Sequence, residues 1–288
     1  MDKRLKVNFV PFSNFGDTSV PYMLRKNNIP FVFAHHNIKT KVIMTGSILG
    51  IASRPETVVW GSGIIKNNCE IVTDARYLAV RGPRTLNKLK LAGVDTTDIA
   101  IGDPMLLFSK FFTPTSTKKY KLGIVPHTVD YTAVMEVIRT NPDNYRNTVV
   151  LHPCRSVSQI EGFINSINEC EAIVSSSLHG IICAHTYNIP GSWLKLGNRL
   201  MGDDVKFHDY LESVKLYSNT PLTDIPAEND FVAPHKPQIN TDQLWECRPW
   251  ENLSDDYYVD IDTHNWTEQC YPIGYNNRIV DDTWWKNN

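Results

Sequence analysis

The chemistry-bearing residues of this chain sit where apolar runs break into polar ones. The run Ala172–Ile173–Val174 gives way to Ser175, Ser176 and Ser177, resumes from Leu178 to Tyr187, and closes on Asn188 and Pro190. That pattern predicts a strand turning into a helix, and small hydroxyl residues at such a turn leave the first helical N–H groups free. The helix dipole adds partial positive charge there, so the turn suits a phosphate or a carboxylate. His179, just inside the start, can hydrogen-bond that anion or move a proton beside it. Gly180 lets the backbone approach a ligand or a neighbouring strand. Two earlier runs end in the same way, Lys121–Val125 at Pro126–His127 and Thr148–Leu151 at His152–Pro153–Cys154–Arg155. A parallel sheet puts such ends on one rim, where three histidines and an arginine can hold an oxyanion and transfer protons.

The elements that must position these residues alternate along the chain. Leu5 to Phe12 is expected as a first strand, and Asp17 as the cap of a helix through Val20, Met23 and Leu24 with Pro21 in its first turn. Strands follow at Lys41–Thr45, Thr57–Trp60, Arg76–Val80 and Ile99–Ile101. Gly46–Ser47 opens a short helix after the first of these, and the second ends in Gly61–Ser62–Gly63. The third runs into Arg81–Gly82–Pro83, with Pro83 in the first turn of a helix that stops at Gly93. Phe112 to Tyr120 is polar, contains a proline and has no apolar period, which marks a linker. Beyond it come helices at Asp130–Arg139, through Ile160, Phe163, Ile164 and Ile167, and at Asp203–Val214, with a strand around Ser192–Leu196. Alternation of this kind argues for an α/β fold with a largely parallel sheet and ligands at the carboxyl ends of its strands.

From about Tyr217 the periodicity is lost, prolines and acidic residues are frequent, and five of the seven tryptophans appear: Trp245, Trp250, Trp266, Trp284 and Trp285. They read either as platforms for stacking a sugar or as the aromatics of an extended tail packed over the first domain. The 288 residues are enough for one large or two smaller domains. A 42% hydrophobic and 21% charged composition with a net charge of −2 is that of a soluble globular chain and does not point to nucleic-acid or membrane-surface binding. No apolar run reaches the roughly 18–20 residues of a membrane span, and Met1–Lys6 lacks a signal-peptide core, so a cytoplasmic protein is expected. Its six cysteines are scattered without metal-type spacing and are expected as free thiols. The sequons at Asn252 and Asn265 are chance matches in that setting.

The segments Asn14–Phe15–Gly16–Asp17, Gly46–Ser47–Ile48–Leu49, Val59–Trp60–Gly61–Ser62–Gly63, Val80–Arg81–Gly82–Pro83, Ile101–Gly102–Asp103–Pro104, Ile124–Val125–Pro126–His127, His152–Pro153 and Cys170 through Gly180 together resemble the polysaccharide pyruvyl transferase family. They occur in the family's order over roughly residues 7 to 196. The resemblance implies two Rossmann-like domains facing across a cleft, similar to GT-B glycosyltransferases, while the irregular Trp-rich C-terminal tail after about Leu216 lies outside it. Residues 1–115 would form the N-terminal, acceptor-side domain and 116–216 the C-terminal, phosphoenolpyruvate-side domain, with 217–288 packing back on the N-terminal domain. It further implies an enzyme of polysaccharide biosynthesis that transfers pyruvate from phosphoenolpyruvate to a sugar of a glycan or glycan precursor, forming a cyclic ketal and releasing phosphate. No cofactor and no metal are expected, and Asp203–Asp204 is better explained as a helix start.

On this reading His179 and His127 are the acid/base candidates. Arg155, Arg81, Ser176, Ser177, Leu178, Gly180 and His152 are expected around phosphoenolpyruvate. Some relatives carry an arginine where this chain has Ser177, and Arg155 and Arg81 are the expected substitutes. Asn14, Asp17, Gly46, Ser47, Gly61 and Ser62 are expected on the acceptor side of the cleft. Asp17 and Asp103 also have ordinary readings as helix cap and turn residue. Two other functions use the same residues. One is a GT-B glycosyltransferase that holds a sugar nucleotide's diphosphate at the same helix start, and the other is a carbohydrate-binding protein of this fold without the chemistry.

Overall fold

Short β-branched runs form the strands, and stripes of apolar residues form the helices between them. A computed structural model describes residues 3–11, 14–217 and 220–260. The first half of the chain supplies β1 (Lys3–Asn8), α1 (Phe15–Lys26), β2 (Phe31–Phe33), β3 (Val42–Ile43), α2 (Leu49–Ala52), β4 (Val58–Trp60), β5 (Arg76–Val80), α3 (Pro83–Leu91) and β6 (Ala100–Ile101). A 3-10 turn, Pro104–Lys110, follows. Then come β7 (Tyr120–Val125), α4 (Tyr131–Thr140), β8 (Thr148–Val150), α5 (Ile160–Asn168), β9 (Cys170–Ser175), α6 (Leu178–Thr186), β10 (Gly191–Trp193) and α7 (Val205–Ser213). The last described elements are α8 (Asp242–Glu246) and β11 (Tyr258–Asp260).

These strands make two sheets. In the first, β1, β3, β4, β5 and β6 lie side by side and parallel, β2 adds to β1 in parallel, and β11 pairs with the start of β1 antiparallel. The second has the order β10-β9-β7-β8 and is wholly parallel, with Val125 opposite Ser175. Its order makes the ends of β9, β7 and β8 neighbours, which is where Ser175–Ser177, His127 and His152 follow. The fold is thus mixed α/β with parallel sheets, as the alternation of apolar runs predicts.

One buried cluster runs from Leu5, Val7 and Met23 on the first sheet's side to Phe163, Ile173 and Ile181 on the second's. The seam is filled by α1, α5, α6 and the 3-10 turn, with Phe15 against Phe163 at 4.5 Å and Tyr22 against Phe108 at 4.9 Å. The polar stretch 112–119 carries no regular element and is tied to the second sheet's side, where Ser116 donates to Asn165 O at 2.9 Å. α7 follows the second sheet in sequence but packs on α3 of the first. A Cβ on Gly82 would lie 1.9 Å from Asp209 O, so only glycine allows this approach.

Several local expectations change. Asn14, not Asp17, caps α1: its backbone is extended (φ −98°, ψ 139°) and its side chain accepts from Gly16 N–H at 2.9 Å. Asp17 falls in the first turn and Pro21 in the helix interior. Both residue types cap helices, and the one with extended backbone takes the role. Strand β2 was not visible in the apolar pattern, being three residues long. The stretch after 217 is less irregular than its composition suggests. Residues around Leu222, Ile225 and Glu228 lie along the second sheet, with Lys195 N–H donating to Leu222 O at 2.8 Å and Tyr145 to Ile225 O at 3.1 Å. Residues 242–260 return to the first sheet, where Trp60 Nε1 donates to Leu244 O at 2.9 Å and Trp60 meets Trp250 edge to face at 5.3 Å. Trp266, Trp284, Trp285, Cys270 and the sequon at Asn265 lie outside the described residues.

Candidate active site

The turn between β9 and α6 is built by its first serine. Ser175 Oγ lies 2.7 Å from the carbonyls of both Val125 and Ser177 and accepts from Ser177 N–H at 3.0 Å. This ties β9 to β7 and fixes Ser177 in the extended conformation of a helix N-cap (φ −97°, ψ 122°). No side chain caps the helix, and the N–H groups of Leu178 and His179 have no partner among the described residues. Two free donors at the positive end of a nine-residue helix can seat an anion. Leu178 anchors the turn in the core. Gly180 has a structural cause: a Cβ would lie 2.5 Å from Ser175 Oγ and 2.8 Å from Val125 Cγ1, so it lets α6 settle on the neighbouring strand.

His179 lies across the seam between the sheets. A Cβ on Gly16 of α1 would come within 1.9 Å of its Nδ1, and its Nε2 lies 3.9 Å from Asp103 Oδ2. Its side chain keeps 15% of its surface. Burial, then the positive charges of Arg81 and Lys206, push its pKa down to about 3, so the ring is neutral at physiological pH. Asp103 is buried at the start of the 3-10 turn, where Oδ1 accepts from Met105 N–H at 3.0 Å and Thr45 Oγ1 at 3.3 Å. Burial raises its pKa to about 6 against the opposing pull of Met105 N–H, Arg81 and Thr45.

The second sheet carries the other expected groups. His127 N–H donates to Ser176 Oγ at 2.9 Å, which joins the ends of β7 and β9. The His127 ring is pushed below the usual histidine range by burial and the Lys206 ammonium, with Asp130 opposing. His152 packs edge-on against Tyr131 at 4.5 Å and accepts from Cys154 N–H at 3.1 Å through Nδ1. Arg155 stacks over Phe163 at 4.9 Å and spends one N–H on Cys154 O at 2.7 Å. This loop touches the first sheet's side directly, because Phe15 N–H donates to Pro153 O at 2.9 Å and Asn14 bridges to Cys154.

The remaining expected site residues lie deeper. Arg81 was expected to face an anion, but its side chain is fully buried and its guanidinium is committed elsewhere. Nε donates to Asp209 Oδ2 at 3.1 Å, Nη1 to Ser47 Oγ at 2.6 Å and Nη2 to Ile64 O at 2.8 Å, with Asp209 Oδ2 also 3.0 Å from Nη2. Arg81 therefore acts on the site through its charge and locks α7 to the first sheet. Ser62 is buried and donates to Gly46 O at 2.9 Å, and Gly61 (φ +87°) lies against Pro104, where a Cβ would come within 2.1 Å. Gly46 and Ser47 are half-buried beside them. Asn14 is spent as a cap, whereas Asp17 is half-buried with its pKa raised to about 7 by burial.

Lys206 had no signal in the sequence. It is half-buried in the first turn of α7, and its charge lowers the pKa of both His127 and His179. Burial and Arg81 in turn lower its own pKa to about 8. It is a cation near the two histidines, brought there because α7 crosses back to the first sheet. Among the described residues no helix is long and apolar enough to cross a membrane, and Cys69, Cys154, Cys170, Cys183 and Cys247 are free thiols.

An uncharacterised protein of Acanthamoeba polyphaga mimivirus is 35% identical over 169 residues, 58% of this chain and 57% of that protein. The chain thus matches little more than half the length of that relative. Among solved structures, a functionally uncharacterised protein from Klebsiella pneumoniae has a TM-score of 0.43 at 12% identity, covering 77% of this chain and 93% of that one. Methanocaldococcus jannaschii UDP-GlcNAc 2-epimerase, solved with UDP-GlcNAc and UDP, has a TM-score of 0.45 at 11% identity, covering 84% and 96%. The family model of polysaccharide pyruvyl transferases matches residues 2–196, which hold both sheets except β11 together with the β9–α6 turn, and the chain belongs to that family.

Proposed function

We propose that this chain transfers pyruvate from phosphoenolpyruvate to a sugar of a glycan or glycan precursor, forming a cyclic ketal and releasing phosphate. The observation that carries the reading, within this family, is the uncapped start of α6 with His179 inside it and the Lys206 charge felt by both His179 and His127. Phosphoenolpyruvate carries two anions and an enol carbon that becomes electrophilic when its methylene is protonated. The free N–H groups of Leu178 and His179, with Lys206 and Arg155, are the groups that would hold the anions. Ser176 and Ser177 line the turn, and His152 stands beside Arg155.

In the reaction one proton is added to the methylene carbon, and two sugar hydroxyls bond in turn to the neighbouring carbon, each releasing a proton. The C–O bond to phosphate breaks with its electron pair. Of the two hydroxyl protons, one replaces that given to the methylene and the other leaves on phosphate. His179, neutral at physiological pH, suits the role of base for a hydroxyl, and His127 would take the acid role. Asp17, Gly46, Ser47, Gly61, Ser62 and Asn14 belong on this reading to the acceptor wall, on the first sheet's side.

The test is thermal shift with phosphoenolpyruvate against a panel of sugar nucleotides, followed by a screen of acceptor glycans for phosphate release. Stabilisation by phosphoenolpyruvate that is lost in Arg155→Ala is the expected result. Stabilisation by a nucleotide alone would move the chain to the glycosyltransferases, and sugar binding without phosphate release would make it a carbohydrate-binding protein.

A further inference from the structure

Among the described residues, two buried polar atoms without a hydrogen-bond partner face each other: His179 Nε2 and Asp103 Oδ2, 3.9 Å apart. The gap is roughly an ångström longer than an N–H···O bond. A buried donor or acceptor left unpaired is costly, so two of them facing one another call for a reason. The two come from different sides of the seam, His179 from α6 and Asp103 from the turn after β6. Each is fixed from behind. Asp103 Oδ1 is held by Met105 N–H and Thr45, which turns Oδ2 toward the ring. The ring's other edge abuts Gly16, which carries no side chain to obstruct it. Nε2 is buried, so the 15% of the side chain that remains open lies elsewhere on it.

We propose that Asp103 is a positioning residue for His179, its carboxylate taking the Nε2–H, leaving Nδ1 as the bare nitrogen, and holding the imidazolium that forms when Nδ1 accepts a hydroxyl proton. The source of that proton rests on the pyruvyl-transfer reading; the pairing itself does not. As the hydroxyl oxygen bonds to the pyruvyl carbon, its proton passes to Nδ1, and from there it is available to the departing phosphate. The charged groups around the pair favour a resting carboxylate and neutral ring. Arg81 from the end of β5 and Lys206 from α7 oppose a charged ring, and Arg81, Met105 N–H and Thr45 favour the carboxylate. The Tyr210 phenol, also from α7, feels the Asp103 charge and stays protonated. With Asp103 titrating at about 6 and His179 at about 3, the pair is carboxylate and neutral imidazole at pH 7.5.

Asp103→Asn separates this role from a structural one. It keeps Oδ1 for Met105 and Thr45 but places an NH2 group where Oδ2 was, so it donates to Nε2 and reverses the tautomer. NMR of 15N-histidine-labelled protein at pH 7.5 reads the tautomer directly, with the His179 signals identified by their loss in His179→Gln. Expected are Nε2–H in the wild type and Nδ1–H in Asp103→Asn. The kcat for phosphate release should fall about 10²- to 10⁴-fold, with KM for phosphoenolpyruvate changed by less than about threefold. The same tautomer in both proteins, or a rise in KM at unchanged kcat, overturns the proposal. Should Asp103→Asn fail to fold, Nδ1–H in the wild type overturns it alone. A reversed tautomer, in a protein that releases no phosphate from phosphoenolpyruvate with any acceptor, keeps the pairing and retires the pyruvyl-transfer reading.

Discussion

Gly16 offers a sharp test of how the seam is packed, because two physical effects act on Gly16→Ala with opposite signs. The residue lies in α1, where replacing glycine by alanine ordinarily stabilises by about 0.5–1 kcal/mol through the entropy of the unfolded chain. Its capping bond to Asn14 uses the backbone N–H and survives the change. Against this, the new methyl would lie 1.9 Å from His179 Nδ1 and 2.5 Å from its Cγ and Cε1, well inside contact distance. The ring is confined and α1 is packed in the core, so relief requires displacement of one or the other, at an overpacking cost of about 1–3 kcal/mol. The net expectation is destabilisation by roughly 1–2 kcal/mol. In a His179→Ala background the obstacle is gone, and the same change should stabilise by up to about 1 kcal/mol. Urea unfolding of the four proteins at pH 7.5 gives the coupling energy, which isolates the overpacking cost and is expected at about 1–3 kcal/mol. An effect of Gly16→Ala that has the same sign and size in both backgrounds would refute the packing argument. A ring displaced by about 1 Å should also cost on the order of 10²-fold in phosphate release.

Three further predictions concern charge. Arg81→Ala leaves Asp209 buried with an uncompensated charge and should destabilise by about 3–5 kcal/mol in urea unfolding, with or without phosphoenolpyruvate present. Asp17 has its folded pKa raised from 3.8 to about 7, so the stability it contributes is present below 3.8 and lost as pH rises through 7. Asp17→Asn should therefore leave stability nearly unchanged at pH 4 and raise it at pH 8, by an amount on the order of 3 kcal/mol, in unfolding curves at the two pH values. Lys206→Met removes a charge that lowers both His127 and His179, so NMR titration should show both pKa values move up. The thermal shift with phosphoenolpyruvate should shrink by what a roughly tenfold weaker affinity predicts.

Much of the fold was legible because its signals are local. The β9–α6 turn needed only an apolar run, three serines and a helical stripe within adjacent residues, and the rim of histidines followed from a parallel sheet. Strand β2 and strand β11 were not legible, since three residues cannot display a period and pairing with β1 is what makes them strands. The choice of Asn14 over Asp17 as cap depended on which backbone is extended, which the entry of the chain into α1 decides.

The sequence by itself determined the α/β alternation, the helix start that can seat an anion, the histidines at strand ends and the family. Tertiary structure alone decided which polar groups stay available. Arg81 was legible as a cation, yet its partner Asp209 lies 128 residues further on, and burial of that pair turns a would-be ligand into a clamp on α7. The same clamp sets Lys206 near the two histidines, and seam packing brings Gly16 and Asp103 to opposite edges of the His179 ring. Local pattern reports what each segment prefers in isolation, whereas charge burial, ring placement and pKa depend on contacts between segments remote in sequence, which exist only once the core has closed.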